Sequence, residues 1–469
     1  MAHLARNWMS DGRRRGVAAI LALGVLVILV VLTAAMAAQG FMEMKKSDSL
    51  RRANQARMAA EGGLGYMTAV LREVHLPSDV SEATFLTELQ AALETELAGM
   101  NDSGVAVTRY GQTLSVSEIA LPDGAFSCAV GMDTSANPPS ACLTVTGRCD
   151  EFTRRTAVTF ACVGKRSAVF DFGVASRGKI VINGSAEITG VNDSGEACVL
   201  STREQPVAIA AGGHAMISGD LYVTGEDVDY VYIKGGGISI GGSSDISEIF
   251  DEHVFLGTEE PDFPEINTAQ YLPLAVHLVD ASTDLSGTQT FNNIRIAAGT
   301  DPHFAAGTVL NGVVYVESPN VVTFTGQTTI NGMIVTEDAT GNLADCQIEF
   351  KGTASAPGVD ALPDTEEFAE IKKHTGTVIL APSFGITMRG ATNSINGLIA
   401  ADQVNFIGNS NISGDLTGSI IGLKDNEMSL TGNSTIRIAR PDDENSLPAG
   451  FEHPYGLVPQ AGTYSEPVP

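Results

Sequence analysis

Carboxylate side chains are the groups of this 469-residue chain that could act on a carbohydrate. Glycoside hydrolysis needs two carboxyl groups about 5–9.5 Å apart on one face. The two segments that carry candidate carboxylates do not recur elsewhere in the chain. The single tryptophan, Trp8, lies near the N-terminus, so the composition does not support an aromatic surface on which a sugar could stack. We therefore expect the chain not to be an enzyme. The candidate acids are Asp220, Asp227, Asp229, Asp402 and Asp415.

Histidine and cysteine spacing gives no sign of a metal centre. The 8 histidines are scattered along the chain, without a pair at i and i+4. The cysteines lack the Cys-x-x-Cys spacing or the nearby histidine that a zinc site needs. We expect no metal and no cofactor, although calcium binding by the acids at 225–229 stays open.

Four of the 6 cysteines lie close together in the sequence, well after the apolar run. In a domain that faces an oxidising compartment, such a cluster is typical of disulfides. Four cysteines allow three pairings, and the sequence does not choose among them. We predict disulfides among Cys128, Cys142, Cys149 and Cys162.

An uncharged apolar run, residues 17–38, directly follows Arg13, Arg14, Arg15 and Gly16. As a helix it would reach roughly 33 Å, enough to cross a hydrocarbon core of about 30 Å. Because positive charge stays on the cytoplasmic side, the chain after about residue 40 should face outward. An ordinary signal anchor and a cleaved signal peptide, with a site near residues 34–38, both remain open.

The arginines, Gly16 and the apolar helix together resemble the class III signal of type IV pilin-like proteins. In that family a prepilin peptidase cuts after the glycine, which implies a mature chain beginning at Val17, usually N-methylated. Residues 49–64 resemble the juxtamembrane helix of PilX-type minor pilins. The fifth mature residue, a glutamate in major pilins, is Leu21 here, which favours a minor subunit over a bulk filament subunit.

Beyond the membrane, apolar residues continue at helical spacing. Steps of 3 or 4 place them on one face of a continuing helix. Gly62, Gly63 and Gly65 each cost about 1 kcal/mol in a helix interior, so they indicate close packing, a bend or a helix that ends near Gly62. The predicted stripe consists of Leu50, Ala53, Ala56, Ala60, Leu64, Met67 and Leu71.

Residues 76–166 are predicted to form a small α+β domain. A helix is expected over 81–98, with Ser81 as its N-cap and Gly99 as its stop. Its apolar stripe is predicted to consist of Phe85, Leu86, Leu89, Leu93 and Leu97. Strands are expected at 105–108, 113–116 and 126–130, followed by an antiparallel hairpin of 142–147 and 155–162 whose end cysteines could face each other. A long helix followed by a small antiparallel sheet is the plan that the pilin resemblance implies.

From residue 167 to 440, short β-branched runs alternate with Gly, Asn and Ser. The triplet Ile-Asn-Gly recurs at 182–184, 330–332 and 395–397. Strands of 3–6 residues between such corners predict a β-solenoid, whose stacked turns bury the inward apolar side chains. A right-handed parallel β-helix is the expected form, and a β-sandwich or barrel is the alternative.

Charge is distributed unevenly. Residues 1–72 hold 10 of the 28 Lys+Arg and only 4 of the 55 Asp+Glu, so the remainder has a formal net charge of −33. Such a surface repels nucleic acid. We therefore expect no nucleic-acid partner.

The sequence thus predicts an α+β pilin-like part, with a transmembrane helix and a small antiparallel sheet, followed by an all-β solenoid. The resemblance implies a minor pilin-like subunit of a type IV pilus or type II secretion-like filament, single-pass in the inner membrane, with its bulk periplasmic or extracellular. Expected partners are prepilin peptidase, other pilin-like subunits, membrane lipid and a surface or glycan ligand. The alternatives are a static anchored scaffold and a β-helix carbohydrate-active enzyme.

The expected domains are a leader (1–16), a membrane and juxtamembrane helix (17–75), the α+β domain (76–166), the solenoid (167–440, with insertions near 245–285 and 354–375) and a flexible tail (441–469).

Overall fold

The computed structural model describes residues 11–78, 80–99, 105–135, 138–339, 341–390, 392–408, 415–440 and 447–467, with side chains from Ala19 onward except at 392–394. The chain divides into two compact units. The helix–sheet unit comprises the described parts of Met1–Val163 and Tyr455–Pro469, and the coiled unit comprises those of Gly164–Pro454.

Helix α1 of the helix–sheet unit runs without a break from Asp11 to Glu73. It therefore continues past Gly62, and the alternative that it ends there is wrong. Of the predicted stripe, Leu50 is exposed because it precedes the part of the helix that packs on the sheet, and Ala53 and Leu64 are half-buried. The buried members are Ala56, Ala60, Met67 and Leu71.

Helix α2 spans Phe85–Gly99 and begins four residues later than the sequence predicts. Residues 81–84 instead form a turn, closed by a 2.8 Å hydrogen bond from Phe85 N to Ser81 O. The apolar face is confirmed. Its buried side chains are Phe85, Leu86, Leu89, Leu93 and Leu97.

Six strands accompany these helices. Their pairing is antiparallel from β2 through to β6, and in the β5–β6 hairpin Cys142 lies opposite Thr159. Alternate side chains point toward the helices and form one core with them. The strands are β1 (His75–Leu76), β2 (Val107–Tyr110), β3 (Thr113–Leu121), β4 (Gly124–Asp133), β5 (Ser140–Cys149) and β6 (Phe152–Gly164).

The coiled unit contains one short α-helix, α3 (Ile246–Glu252), and a 25-stranded sheet. Its ladders are parallel, which rules out the β-sandwich alternative. The strands are β7 (Val174–Ser176), β8 (Ile180–Ile182), β9 (Glu187–Gly190), β10 (Val199–Ser201), β11 (Ile209–Gly212), β12 (Met216–Ile217), β13 (Leu221–Val223), β14 (Val231–Lys234), β15 (Ser239–Ile240), β16 (Val254–Phe255), β17 (His277–Val279), β18 (Thr290–Ile296), β19 (His303–Phe304), β20 (Thr308–Val316), β21 (Asn320–Phe324), β22 (Thr328–Thr336), β23 (Cys346–Phe350), β24 (Ala354–Ala356), β25 (Thr377–Met388), β26 (Thr392–Asn396), β27 (Leu398–Phe406), β28 (Leu416–Thr417), β29 (Ile420–Gly422), β30 (Met428–Leu430) and β31 (Thr435–Ala439).

Three strands make one turn of the coil, as the first coils show. Strands β7, β8 and β9 pair in parallel with β10, β11 and β12, which pair in turn with β13, β14 and β15. This is the stacked arrangement of a β-solenoid, in which each coil covers the apolar interior of the next. The pairing does not depend on the hand of the coil, so the right-handed turn stays a prediction.

The first coil does not lie at an end of the stack. After β16 the chain leaves one end, passes through a crossing segment (residues 256–276) and re-enters the sheet at β17. From there it winds back until β29, β30 and β31 pair with β7, β8 and β9. The first coil is therefore enclosed between the second coil and the last.

Repeated side chains fill the coil. Inside, the rings of Phe304 and Phe324 stack at 5.2 Å between centroids, and those of Phe324 and Phe350 at 5.0 Å. Outside, the asparagine of one Ile-Asn-Gly triplet, Asn331, donates its side-chain amide to Asn311 at 2.9 Å. Asn311 donates in turn to Asn292 at 2.9 Å.

One outer face of the coil is also apolar, and it forms a second core. Tyr271 of the crossing segment, together with Phe368 and Ile371, is buried on this face. Segments 245–285 and 354–375 are largely non-strand, as insertions would be, but they pack on the coil instead of emerging from it. Parts of both segments are coil strands, and the rest cover apolar outer positions that water would otherwise contact.

The end of the chain returns to the helix–sheet unit. Strand β32 (Tyr455–Pro459) completes a sheet of order β1-β32-β6-β5-β4-β3-β2, and Tyr455 pairs with Leu76. Leu457 is fully buried in that core. The prediction of a flexible tail over 441–469 is therefore wrong for the part that forms β32. Residues 441–446 lie outside the described residues.

Candidate functional site: the exposed helix and the surface of the coil

The first half of α1 is an apolar surface that nothing in the helix–sheet unit covers. Its most apolar 18-residue window has a mean hydropathy of 2.9 and no buried residue. It is long and apolar enough to span a membrane. An isolated apolar rod of this size is unstable in water, so it requires lipid or other apolar chains around it. The exposed side chains include Ile20, Leu21, Leu23, Leu26, Ile28, Leu29, Val31, Leu32, Met36, Phe41 and Met44.

The second half of α1 packs closely on the sheet, and two glycines permit the approach. A Cβ on Gly63 would lie 2.5 Å from Cγ of Phe126. A Cβ on Gly147 of β5 would overlap the backbone of Ala56 and Ala60. Close packing is therefore confirmed for Gly63. Gly62 and Gly65 face open space and have no such role.

Ion pairs surround the helix between its apolar and docked parts. Arg51 and Arg52 each contact Asp48 at 2.9 Å, and Arg52 also reaches Asp150 at 2.7 Å. The hydrogen bond from Arg51 is the main cause that lowers the pKa of Asp48. Arg57 pairs with Glu61 and Glu466, each at 2.9 Å. These charges mark where the apolar rod ends and the water-exposed unit begins.

The predicted processing site falls at the edge of the described residues. Gly16 and Val17 belong to α1, but their side chains lie outside the described residues. Cleavage between them stays a prediction.

All six cysteines are free thiols, so the predicted disulfides are not formed. The hairpin register explains part of this, because Cys142 lies opposite Thr159 while the thiol of Cys162 donates to Pro139 O at 3.0 Å. Cys128 points into the core, and burial raises its pKa to about 12. Burial likewise raises the pKa of Cys162 to about 11, which keeps both thiols protonated and unreactive near neutral pH. The fourth, Cys149, donates to Gln55 Oε1 at 3.6 Å.

The candidate acids of the coiled unit are placed by different elements of the coil. Asp220 bonds to Nδ1 of His253 at 2.8 Å. Asp227 and Asp229 belong to a turn around Val228–Tyr230, without a capping bond from Asp227.

The two later acids have basic or amide partners. Asp402 is buried, bonds to Asn426 and lies 3.7 Å from Lys424. Asp415 lies 3.3 Å from Arg437. Among the described residues, no group of three or more His, Cys, Asp or Glu could hold a metal ion.

Sequence reasoning missed an aromatic column on the outer face. Tyr222 and Phe255 occupy paired positions on β13 and β16, and their rings stack at 4.8 Å. Phe172 meets Tyr222 edge-on at 5.3 Å. The low aromatic content concealed this column, since only the coil register shows that the three rings are neighbours.

Comparison with known proteins does not assign this chain to a family. No protein-family model matches the sequence, and no curated protein matches it. The chain is similar to the crystal structure of the competence-associated pilin ComZ from Thermus thermophilus, at 11% identity and a TM-score of 0.26, over 89% of this chain and 98% of that one. At this TM-score the likeness establishes neither fold nor function for this chain.

Proposed function

We propose that this chain is a membrane-anchored, pilin-like structural subunit of the minor type, whose coiled unit is carried outside the membrane. The observation that supports the proposal is a single helix with two environments. Its first half is apolar and wholly exposed, and its second half is docked on an antiparallel sheet. Such a helix can sit in lipid and later exchange lipid for neighbouring apolar helices without refolding the docked part.

The proposal includes processing at the start of the chain. A prepilin peptidase would cut between Gly16 and Val17 on the cytoplasmic side, and the apolar helix would be kept. The chain itself would perform no catalytic step. Its partners would be the peptidase, membrane lipid and other pilin-like subunits in an inner-membrane filament system. The coiled unit would act as a rigid acidic surface for adhesion or scaffolding.

The mass of the mature N-terminus tests the processing step. Protein purified from its native membrane should begin at Val17. A Gly16→Val variant should keep its leader, because a bulky residue blocks the cut, whereas the matched Gly12→Val variant should be cut normally. An intact Met1 in the unaltered protein would refute processing and favour the alternative of a static anchored scaffold.

Crosslinking tests the partners of the exposed helix. A photo-crosslinking residue in place of Leu29, which is exposed on the apolar half, should capture lipid and pilin-like chains. The same residue in place of Tyr110, which is exposed on the sheet, should capture neither. Equal capture at both positions would contradict the assignment of the helix as the contact surface.

A further inference from the structure

A polar cavity of about 390 Å³ lies at one corner of the coil. Three coils contribute to it in stacking order: Asp425 after β29, Arg177 after β7, and Thr202 with Arg203 after β10. Glu260 of the crossing segment also lines it. The cavity therefore exists only because the first coil lies between the last coil and the second.

Arg177 is held in place without an ion pair. Its backbone amide donates to Gly422 O at 3.0 Å, which fixes it in the stacked corner. Its guanidinium lies 4.7 Å from the ring centroid of Phe263, a contact that orients the cation over the aromatic face. Among the described residues, no carboxylate lies within ion-pair distance of it.

The neighbouring residues Thr202 and Arg203 have unused polar atoms. Thr202 is buried, and its hydroxyl has no hydrogen-bond partner among the described residues. Nε of Arg203 is likewise buried without a partner, and Nη2 reaches only Gln205 Oε1, at 3.5 Å. Buried polar groups without partners are costly, but both atoms are enclosed by protein, so a ligand in the cavity reaches them only after a small rearrangement of this corner.

Three carboxylates line the same cavity without neutralising the two arginines. Glu204, Glu260 and Asp425 are exposed, and none pairs with Arg177 or Arg203 in the described structure. Elsewhere on the same unit opposite charges do pair, as Lys179 does with Glu427 at 3.2 Å. The cavity is therefore lined by positively and negatively charged side chains that do not pair with one another.

We propose that this corner cavity binds a small ligand that carries a carboxylate beside hydroxyl or ammonium groups. The planar guanidinium of Arg177 suits a carboxylate, which it can hold through two parallel hydrogen bonds. The carboxylates of Glu204, Glu260 and Asp425 accept hydrogen bonds from the ligand's donor groups. A volume of about 390 Å³ suits one sugar residue or one amino acid. Acidic sugars and amino acids share this chemistry, and the probes below separate them.

Calorimetric titration of the full-length chain in detergent tests the proposal. Galacturonate and glutamate serve as the probes, with glucose as the probe that lacks a carboxylate and acetate as the one that lacks donor groups. Saturable binding of galacturonate alone supports an acidic sugar, and of glutamate alone an amino acid. Absence of binding by both probes, or equally tight binding of acetate or glucose, overturns the proposal.

Arginine variants connect any binding to this cavity. Loss of one charged hydrogen-bonding group costs about 1.5–3 kcal/mol, so Arg177→Gln should weaken binding about 10- to 100-fold. The control is Arg437→Gln, which removes an arginine that already pairs with Asp415 and should not alter affinity. Unchanged affinity in Arg177→Gln would place the ligand elsewhere and refute the proposal.

Two further variants keep the test valid if Arg177→Gln unfolds. Glu260→Gln changes an exposed side chain of the crossing segment and should weaken a ligand with donor groups. Arg177→Lys keeps the charge but loses the planar fork, so it should bind the ligand more weakly than the unaltered chain. Melting curves of every variant confirm that the fold is retained, and an unchanged affinity in both variants would overturn the proposal.

Discussion

The helix–sheet unit and the coiled unit bury their apolar side chains in different ways. In the first, one helix face meets one sheet face, and a contact such as Gly63 with Phe126 is made once. In the second, Phe324 has a similar ring on the coil before it and on the coil after it. The first unit therefore depends on individual close contacts, while the second distributes its stability along a column of equivalent positions.

The largest expected effect on stability is in the column of stacked phenylalanine rings inside the coil. Phe324→Ala removes a fully buried ring and leaves a cavity between Phe304 and Phe350, so it should lower the free energy of unfolding by about 3–5 kcal/mol. Urea denaturation measures the loss. Hydrogen exchange should localise it to the neighbouring coils, because the stability of a coil depends on its neighbours.

The control for this change is Tyr232→Ala, at an exposed position of β14, where the effect should be near zero. An equal loss of protection in the helix–sheet unit after Phe324→Ala would break the comparison, since the two units would then unfold as one.

An intermediate effect is expected where α1 meets the sheet. Gly63→Ala forces a methyl group against the buried ring of Phe126 and should cost about 1–3 kcal/mol. Gly62→Ala, one residue earlier, meets open space and should stabilise the helix by up to about 1 kcal/mol. Thermal melting should therefore shift in opposite directions, and shifts of the same sign would show that the close approach does not limit stability.

The smallest expected effect is at the polar link between the first and last coils. The buried Glu196 accepts hydrogen bonds from Asn192 N at 2.7 Å and from Arg440 N at 2.8 Å. Burial is the largest single influence on the pKa of Glu196 and raises it. The hydrogen bonds that its carboxylate accepts, led by the one from Arg440, together outweigh burial, so the pKa is lowered overall. Because the folded form holds the proton less tightly, this stability is present above the unfolded pKa and is lost as pH falls through the lower folded pKa.

Glu196→Gln should cost about 1 kcal/mol at neutral pH. The difference from the unaltered chain should shrink in acid, below the folded pKa of Glu196. Urea titrations at neutral and acidic pH measure it, and Glu187→Gln, at a half-buried position of the same coil, is the control. A difference that grows in acid would contradict the sign of the shift.

Sequence patterns predicted elements well where they reflect local periodicity. The buried part of the α1 stripe and the five apolar residues of α2 follow from helical spacing. The Ile-Asn-Gly triplets mark the coiled unit but not one repeated position, because Ile182 pairs with Leu430 whereas Ile395 pairs with Ala356 in another ladder. The copy at 330–332 lies inside β22 and not at a corner between strands, and its Asn331 continues a hydrogen-bonded ladder with Asn311 and Asn292. These features are local, so a single sequence contains them.

The order of the coils was not predictable, because equivalent coils have interchangeable patterns. Nothing in the residues around Val174 indicates that Ile420 will pair with it. The failed disulfide prediction has a similar cause. Proximity in sequence did not reveal the hairpin register that keeps Cys142 away from Cys162.

The candidate site was predicted in part. The apolar helix is evident from hydropathy, whereas the cavity at Arg177 is not, since its residues come from three coils and the crossing segment. The link between these distant segments is a property of the fold alone.

The position of the first coil has a consequence for biogenesis. Strands β7, β8 and β9 emerge early in synthesis, yet the neighbours on one of their two sides, β29, β30 and β31, are made last. The repeat cannot close progressively as the chain leaves the ribosome or crosses a membrane, and an early edge stays open until translation is nearly finished. Until the last coil forms, this edge presents unpaired backbone groups that other chains can pair with, so mispairing during folding is most favourable there.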